Sequence, residues 1–238
     1  MRSDGVTLHL SDTVRRLDKE GDSLRVTLES GKEVEVDMVL RATGRRPNTA
    51  RLNLDSAGVD IGERGQILVD ERFKTSADHI FALGDVITRM ELTPVAIAEA
   101  IALIDSLFGP GEKSVDYKNI PTAIFSTPTM STVGLSEEDA WTLGRPLAFF
   151  TSSFRPMKQS LSGRAGRSFM KLIVDAESDR VLGAHMVGDH SAEILQAMAV
   201  AIRCGATKRD LDGTIGIHPS AAEEFVQMRS VTRTTKRT

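Results

Sequence analysis

Three observations predict a fold of the α/β plus α+β class, in which an α/β segment precedes a separate α+β layer. Apolar and polar residues alternate over 6–10, 24–28 and 34–38, which is the period of half-buried strands. A short apolar run at 80–83 leads through a tight turn into a helix-forming stretch. Beyond about residue 118, short apolar runs occur among amphipathic helices, which indicates a layer of strands and helices.

The first segment should contain three strands and one hairpin. Alternation predicts the first strand over 6–10, and the other two over 24–28 and 34–38. A turn at 29–32, which contains a glycine, would join the second strand to the third. Glycine, proline and asparagine then interrupt regular structure at 42–48, and this predicts a domain crossing there.

A helix is predicted from Thr93 to Phe108. Thr93 can cap it, Pro94 suits its first turn because a missing backbone donor costs nothing there, and Gly109 can end it. The apolar residues at helical spacing, which should face the core, are Val95, Ile97, Ala98, Ile101, Ile104 and Phe108.

The Gly84-Asp85 pair, directly after the apolar run at 80–83, is a candidate ligand contact. The Asp85 carboxylate could accept hydrogen bonds from the hydroxyl groups of a ligand. A turn or capping role for Asp85 is the alternative. Because the helix starts eight residues later, its N-terminal backbone donors could point toward the same cavity and favour a polar or anionic ligand.

The second half should contain four strands and three helices. The predicted strands are the apolar runs at 123–125, 148–150, 170–174 and 181–187. One helix is predicted to start at Ser136, which has a capping pattern. A second spans about 191–203 and should bury Ile194, Leu195, Met198 and Ile202. A third should start at Pro219 and carry Phe225 and Met228.

Composition excludes several classes of function. The chain has 238 residues, 40% of them hydrophobic, so it can bury a substantial core. Its 30 basic residues against 33 acidic ones give no reason to expect a nucleic-acid partner, and the basic stretch 233–237 is expected to be a solvated end. No apolar run approaches the roughly 18 residues that span a bilayer, so we expect a soluble, cytosolic chain with no membrane partner.

Metal binding and disulfide formation within the chain are not expected. Cys204 is the only cysteine, so neither an internal disulfide nor a multi-cysteine zinc site can form. The histidines without a partner at metal-ligand spacing are His9, His79, His185 and His190.

His218 is the strongest candidate for acid–base chemistry. The following Pro219 restricts its backbone to extended or turn geometry, permits a cis bond and suits a helix start. Glu223 lies five residues later, close enough for its carboxylate to reach one ring nitrogen, fix the tautomer and favour the protonated ring. The alternative is a surface histidine that precedes an ordinary helix.

Three segments together carry a family resemblance: 42–48 (ATGRRPN), 82–86 (ALGDV) with 92–96 (LTPVA), and 218–224 (HPSAAEE). In order and spacing they resemble the pyridine nucleotide-disulfide oxidoreductases, most of all the glutathione reductase branch, over nearly the whole chain. The resemblance implies three parts. Residues 1–47 would end a NADPH-binding domain, 48–118 would form the central FAD-binding segment, and 119–238 would be an antiparallel-sheet-and-helix dimerisation domain.

The same resemblance implies roles for residues that contact cofactors. Asp85, preceded by Gly84, would bind the flavin ribityl chain, and Thr93 would place a backbone donor near the flavin ring. The residues that would line the NADPH path are Gly44, Glu91 and Ala123. The implied cofactors are therefore FAD and NADP.

The resemblance also implies a catalytic site shared across a homodimer. His218, oriented by Glu223, would be the acid–base residue and would act on the active site of the opposite subunit. Met157 and Glu224 would lie near bound glutathione disulfide, again across the dimer. In the implied mechanism, hydride passes from NADPH to FAD, a cysteine pair is reduced, and thiol–disulfide exchange with the substrate follows.

Two departures from the family pattern limit what the chain can do. The family's Gly-x-Gly-x-x-Gly loops and Cys-x-x-x-x-Cys pair would belong to a region upstream of Met1, so the chain alone is expected to be inactive and to hold flavin poorly. Ile101 stands where some glutathione reductases carry a substrate-binding arginine.

Other functions remain open from the sequence. Dihydrolipoamide dehydrogenase is less favoured because Gly216 stands where those enzymes usually place a second histidine. Mercuric reductase is less favoured because the chain has no C-terminal cysteine pair. A non-catalytic dimerisation module is the alternative from a different class.

Overall fold

The computed structural model describes residues 1–163 and 166–235. The chain divides into two compact units, one formed by residues 9–116 and the other by 1–8 together with 117–238. The domain boundaries expected after Pro47 and Lys118 stay predictions. Lys236 and Arg237, which belong to the basic stretch expected to be a solvated end, lie outside the described residues.

The unit of residues 9–116 begins with a three-stranded antiparallel sheet in the order β1-β2-β3. Its strands are β1 (Val14–Glu20), β2 (Ser23–Leu28) and β3 (Glu33–Val36). The β2–β3 hairpin confirms the alternation and the turn. The strand expected over 6–10 is wrong, because these residues form no strand. The first strand lies at 14–20 instead, where five polar or charged residues on an exposed edge conceal the apolar period.

The rest of this unit consists of turns around a small core and one long helix, α1 (Thr93–Phe108), at the predicted position. Thr93 is its first residue and does not cap it, since Leu92 occupies the capping position without a side-chain bond. The strand expected at 80–83 is wrong, because only a single bridge joins Phe81 to Lys74. The buried apolar core consists of Val59, Ile67, Phe73, Ala82, Ile87 and Ala102.

The buried face of α1 differs from the predicted one. Its buried residues are Val95, Glu99, Ala102 and Asp105, whereas Ile97, Ile101, Ile104 and Phe108 are exposed. The helix carries apolar residues around most of its circumference, so periodicity alone could not determine which side would be buried. Two acidic side chains lie on the buried side, and both accept backbone hydrogen bonds.

The second unit contains a six-stranded antiparallel sheet in the order β4-β5-β8-β7-β6-β9. Its strands are β4 (Thr122–Ile124), β5 (Met130–Gly134), β6 (Leu147–Phe154), β7 (Ser168–Asp175), β8 (Val181–Val187) and β9 (Arg233–Thr234). The four predicted apolar runs all coincide with strands. Arg233 and Thr234 of the stretch expected to be a solvated end are exposed, but they also form a strand that the sequence did not predict and pair with Phe149 and Ala148.

Five helices accompany this sheet: α2 (Glu137–Thr142), α3 (Met157–Ser162), α4 (Ser191–Arg203), α5 (Lys208–Gly213) and α6 (Glu224–Gln227). Helix α4 buries Leu195, Met198 and Ile202, as predicted, whereas Ile194 is only partly buried. Ser136 caps α2 by accepting a hydrogen bond from the Asp139 amide at 3.0 Å, which confirms the capping pattern. The last helix starts at Glu224 and not at Pro219, because residues 219–223 form irregular turns.

Glu137 at the start of α2 joins the helix to two strands. Its carboxylate accepts hydrogen bonds from Lys171 Nζ on β7, at 2.8 Å, and from the Arg233 guanidinium on β9. The bond from Lys171, followed by that from Arg233, holds the pKa of Glu137 below its ordinary value of 4.5. The ion-pair cluster therefore stabilises the folded state wherever the carboxylate is ionised.

Replacing Glu137 by glutamine should lower the free energy of unfolding at pH 7 by about 1 kcal/mol. Because the folded-state pKa lies below the unfolded one, this stabilisation is fully present above about pH 4.5 and is lost as pH falls through the folded-state pKa. Urea unfolding of both proteins at several pH values measures the difference. The control is Glu138→Gln on the exposed side of the same helix. Equal effects of the two substitutions, or a difference that grows at acid pH, would contradict this assignment.

Candidate functional site

His218 and Glu223 form a directly bonded pair. The Nδ1 atom of His218 lies 3.0 Å from Oε1 and 3.1 Å from Oε2 of Glu223. A carboxylate can only accept, so Nδ1 donates and the tautomer is fixed with its free nitrogen at Nε2. The His218 side chain is 74% exposed and that of Glu223 only 12%. The pair therefore presents Nε2 outward as a group that can take up or release a proton.

Several contacts hold Glu223 in place. Its backbone N–H donates to Ser220 Oγ at 3.3 Å, and Gln227 Nε2 donates to its Oε2 at 3.2 Å. On the other side lies Gly216, where an added Cβ would come within 2.9 Å of Glu223 Cβ and 3.3 Å of Val226 Cγ2. The loop that carries His218 thus approaches α6 closely only because position 216 has no side chain.

Replacing Gly216 by valine should separate His218 from Glu223. The branched side chain would overlap Glu223 and Val226, so the loop or the helix must move, and the free energy of unfolding should fall by about 1–3 kcal/mol. Two-dimensional ¹⁵N NMR of the imidazole nitrogens measures the fraction of the Nδ1–H tautomer, which should decrease. Gly213→Val is the control, since a Cβ at position 213 meets nothing within 4 Å. An unchanged tautomer in Gly216→Val would refute the proposed packing role.

The two residues expected near the substrate are placed separately. Glu224 begins α6, and its Oε2 accepts a hydrogen bond from Ser152 Oγ on β6 at 2.9 Å. Met157 begins α3 and is 65% exposed. Within the described residues, no hydrogen bond joins Met157 to His218 or Glu224. The chain thus joins His218 to Glu223 directly, with Glu224 next in sequence, whereas no hydrogen bond among the described residues links Met157 to this group.

Asp85 lies at a tight corner of the 9–116 unit. Gly84 adopts a left-handed conformation with φ of 73°, and a 3₁₀ turn follows at Gly84–Ile87. The Oδ2 atom of Asp85 lies 2.6 Å from a terminal nitrogen of Arg45. This ion pair joins the segment 42–48 to the segment 82–86. The sequence analysis did not predict this ion pair. The opposite charges of the two segments, basic in 42–48 and acidic in 82–86, could have suggested it.

A polar cavity of about 430 Å³ lies beside this ion pair. It is lined by Arg45, Arg46, Pro47, Glu63, Arg64, Gly65, Thr88 and Glu91, so three guanidinium groups face two carboxylates. Glu91 is thus one of the lining residues. Gly44 is not, but it directly precedes the lining residue Arg45 and has a φ of 107°. Such a cavity can bind hydroxyl or phosphoryl oxygens. Ala123 belongs to the other unit, where it pairs with Ser131 of the adjacent strand.

His185 is a structural histidine of the sheet. Its Nδ1 bonds Thr132 Oγ1 at 2.6 Å and its Nε2 bonds the Leu135 carbonyl at 3.1 Å. Burial lowers the pKa of His185, because the charged ring loses hydration inside the protein. Both ring nitrogens are engaged, so this histidine is not available for proton transfer with a ligand.

Comparison with known proteins decides the family. A family model described as pyridine nucleotide-disulphide oxidoreductase matches residues 1–100, and one described as the dimerisation domain of the same family matches residues 120–229. The chain belongs to the pyridine nucleotide-disulphide oxidoreductase family. Its mixed α/β content and antiparallel sheets agree with these domains.

The similar proteins include glutathione reductases and trypanothione reductases. The chain is 44% identical to a glutathione reductase of Burkholderia cepacia over 97% of its own length and 51% of the relative. It is 47% identical to a chloroplastic/mitochondrial glutathione reductase of Pisum sativum, over 96% and 42%. A trypanothione reductase of Trypanosoma congolense is 37% identical, over 96% and 47%. The chain therefore spans about half the length of these relatives.

A solved structure of the same kind also matches. It is the HOCl-induced flavoprotein disulfide reductase RclA from Escherichia coli, with a TM-score of 0.85 and 32% identity over 95% of this chain and 52% of that one. Within residues 1–163 and 166–235, no group of three potential metal-ligating side chains comes together. No helix of the described part is long and apolar enough to cross a membrane.

Proposed function

We propose that this chain is part of an NADPH-dependent glutathione-disulfide reductase and supplies its acid–base histidine. The observation that carries the proposal is the bonded pair of His218 and Glu223, in which Nδ1 is engaged and the imidazole side chain is 74% exposed. The identity of 43–47% to three glutathione reductases supports the choice of substrate. In the proposed assembly, two copies form a homodimer and His218 acts on the reacting centre of the opposite subunit.

The proposed chemistry is proton transfer during thiol–disulfide exchange. Exchange needs a thiolate as attacker and a protonated thiol as leaving group. His218 Nε2 would take the proton of the attacking thiol and return it to the departing one, while Glu223 stabilises the imidazolium that exists in between. Met157 and Glu224 would contact glutathione disulfide. The attacking thiol would belong to a cysteine pair outside this chain, since Cys204 is its single cysteine, and the departing thiol would be that of glutathione released from the disulfide.

The residues at the Asp85 corner fit part of a flavin site. Half-exposed Asp85 offers carboxylate oxygens to ribityl hydroxyl groups, and the preceding Gly84 adopts the left-handed conformation that forms this corner. Thr93 opens a helix of 16 residues, and its own backbone amide is the first-turn donor available to a flavin, because Pro94 has no N–H and Val95 and Ala96 donate to the Leu92 carbonyl. FAD, when bound, would pass the electrons of NADPH to the cysteine pair. Gly44, Glu91 and Ala123 would line the NADP path.

The finer organisation follows from the same proposal. Residues 1–47 would close the NADPH domain, 48–118 would belong to the FAD domain, and 119–238 would form the dimerisation domain. The phosphate-binding glycine loops are not in this sequence, so the chain alone should hold flavin weakly and should not turn over. We expect a cytoplasmic location and neither nucleic-acid nor membrane partners.

Complementation tests the proposal. The chain would be co-expressed with the half of the Burkholderia cepacia enzyme that has no counterpart in it. The expected product is a yellow complex that reduces glutathione disulfide with NADPH, whereas the chain alone is colourless and inactive. Trypanothione disulfide, assayed in parallel, tests the substrate, because trypanothione reductases are also relatives. A flavin-loaded complex without disulfide reductase activity would refute the proposal.

A non-catalytic dimerisation module is the second candidate, because the 117–238 unit carries its own sheet and core. Both candidates predict that the purified chain is a dimer, which light scattering after size exclusion measures. A strict monomer at high protein concentration would count against both. Only the reductase proposal predicts activity in the complemented complex, so the two experiments together separate the candidates.

A further inference from the structure

Glu99 is an acidic side chain buried in the 9–116 unit and has no role in the proposed chemistry. It lies on the second turn of α1 and is 1% exposed. One of its carboxyl oxygens accepts a hydrogen bond of 2.6 Å from the backbone N–H of Gly84. Burying a carboxyl group costs free energy that an apolar side chain at the same position would not cost. We therefore look for a role of Glu99 other than packing in the core.

Gly84 contacts the same helix a second time. An added Cβ at Gly84 would lie 3.1 Å from Ala96 Cβ, so the corner packs directly against α1. Ala96 and Glu99 are three residues apart and therefore lie on one face of the helix. Ala96 packs against Gly84, and Glu99 accepts a hydrogen bond from it, so both residues hold the left-handed Gly84 against α1. Asp85, the next residue, is 39% exposed and contacts Arg45.

We propose that Glu99 is a positioning residue that fixes Asp85 relative to the N-terminus of α1. A single hydrogen bond joins the backbone just before Asp85 to the helix that begins with Thr93. The two groups proposed to contact the flavin therefore keep a constant separation. The ligand class that this geometry serves is a polyol chain attached to a planar ring, and this part of the inference rests on the proposed function.

Asp105 provides a matched control on the same helix. It is also buried, at 9% exposure, and its Oδ2 accepts a backbone hydrogen bond of 2.8 Å from Lys113. Its bond closes the C-terminal end of α1 and is remote in sequence from the Asp85 corner. Loss of the Asp105 carboxylate should therefore disturb α1 without moving Asp85. Loss of the Glu99 carboxylate should disturb α1 and also move Asp85.

The test compares Glu99→Leu, Glu99→Gln and Asp105→Leu with the wild-type chain by NMR. Glu99→Leu should speed amide hydrogen exchange at Gly84 by about tenfold or more, and should shift the resonances of Asp85 and the Arg45 guanidinium. Glu99→Gln keeps an acceptor oxygen and should restore both signals. Asp105→Leu should alter exchange at Lys113 and at the C-terminal end of α1, and should leave Gly84 unchanged. A Gly84 amide unaffected in Glu99→Leu, or equally affected in Asp105→Leu, would overturn the proposal.

Two additions make the result decisive. If Glu99→Leu does not fold, a scalar coupling across the hydrogen bond between Gly84 N and the Glu99 carboxyl carbon of the wild type decides, and its absence refutes positioning.

FAD added at millimolar concentration to the folded variants then tests the flavin contact separately. Resonance changes at Asp85 in the wild type, weakened in Glu99→Leu and kept in Glu99→Gln, are expected. If the wild type shows none, the proposed flavin contact fails while the exchange data still judge Glu99.

Discussion

Replacing His218 by asparagine should lower the turnover of the complemented reductase by about 10²–10⁴-fold. Asparagine cannot carry a proton between the attacking and leaving thiols, although it keeps a hydrogen bond to Glu223. Because proton transfer occurs in the transition state, both kcat and kcat/KM should fall, with little change in KM. Steady-state kinetics with NADPH and glutathione disulfide measure the effect.

The matched control for this prediction is His79→Asn, which changes an exposed histidine in a turn of the other unit. It should leave kcat within about twofold of the wild type, since substitutions at exposed turn positions usually have small effects. Glu223→Gln should give an intermediate loss, because His218 keeps a partner without the negative charge. Full activity of His218→Asn would show that the exposed imidazole has no part in the reaction.

The largest loss of stability is expected from Gly134→Ala in the 117–238 unit. Gly134 has φ of 79°, and a Cβ there would overlap the Leu182 carbonyl oxygen and lie 2.9 Å from Gly183 Cα. Gly134 and Gly183 face each other in the register of β5 and β8, so neither strand can retreat without breaking the sheet. We expect the free energy of unfolding to fall by about 3–5 kcal/mol.

Urea unfolding followed by circular dichroism measures this change. Gly144→Ala is the control, because Gly144 has a φ of 62° but open space around the added Cβ. It should cost only the conformational part, about 1–2 kcal/mol. Equal losses for the two variants would mean that the close approach of β5 and β8 contributes nothing. The comparison thus separates backbone strain from steric overlap.

Local patterns predicted the parts of the fold that depend on neighbours in sequence. The β2–β3 hairpin and α4 follow from periods of two and of 3.6 residues, and each has one clearly apolar side. Periodicity failed for α1 because apolar residues surround the helix. It failed at β9 because two residues paired with a distant strand have no period at all.

The same distinction holds for the candidate site. The contact of His218 with Glu223 spans five residues and could be anticipated from the sequence. The Arg45–Asp85 ion pair spans forty residues, and the bond from Gly84 to Glu99 depends on how a corner packs on a helix. Neither can be read from local spacing. The proposed roles of Met157 and Ala123 concern other molecules, and local spacing in one sequence cannot describe such contacts.

The pairing of β9 with β6 has a consequence for how the chain tolerates change at its C-terminal side. Strand β6 begins with the apolar sequence Leu147-Ala148-Phe149-Phe150, and residues 232–235 satisfy its outer backbone groups through bonds at Phe149 and Leu147. Removing residues 232–235 would leave the outer edge of β6 unpaired, and an unpaired apolar edge can pair with a strand of another molecule. We therefore expect a chain that lacks residues 232–235 to aggregate more readily through β6 than the chain that retains them.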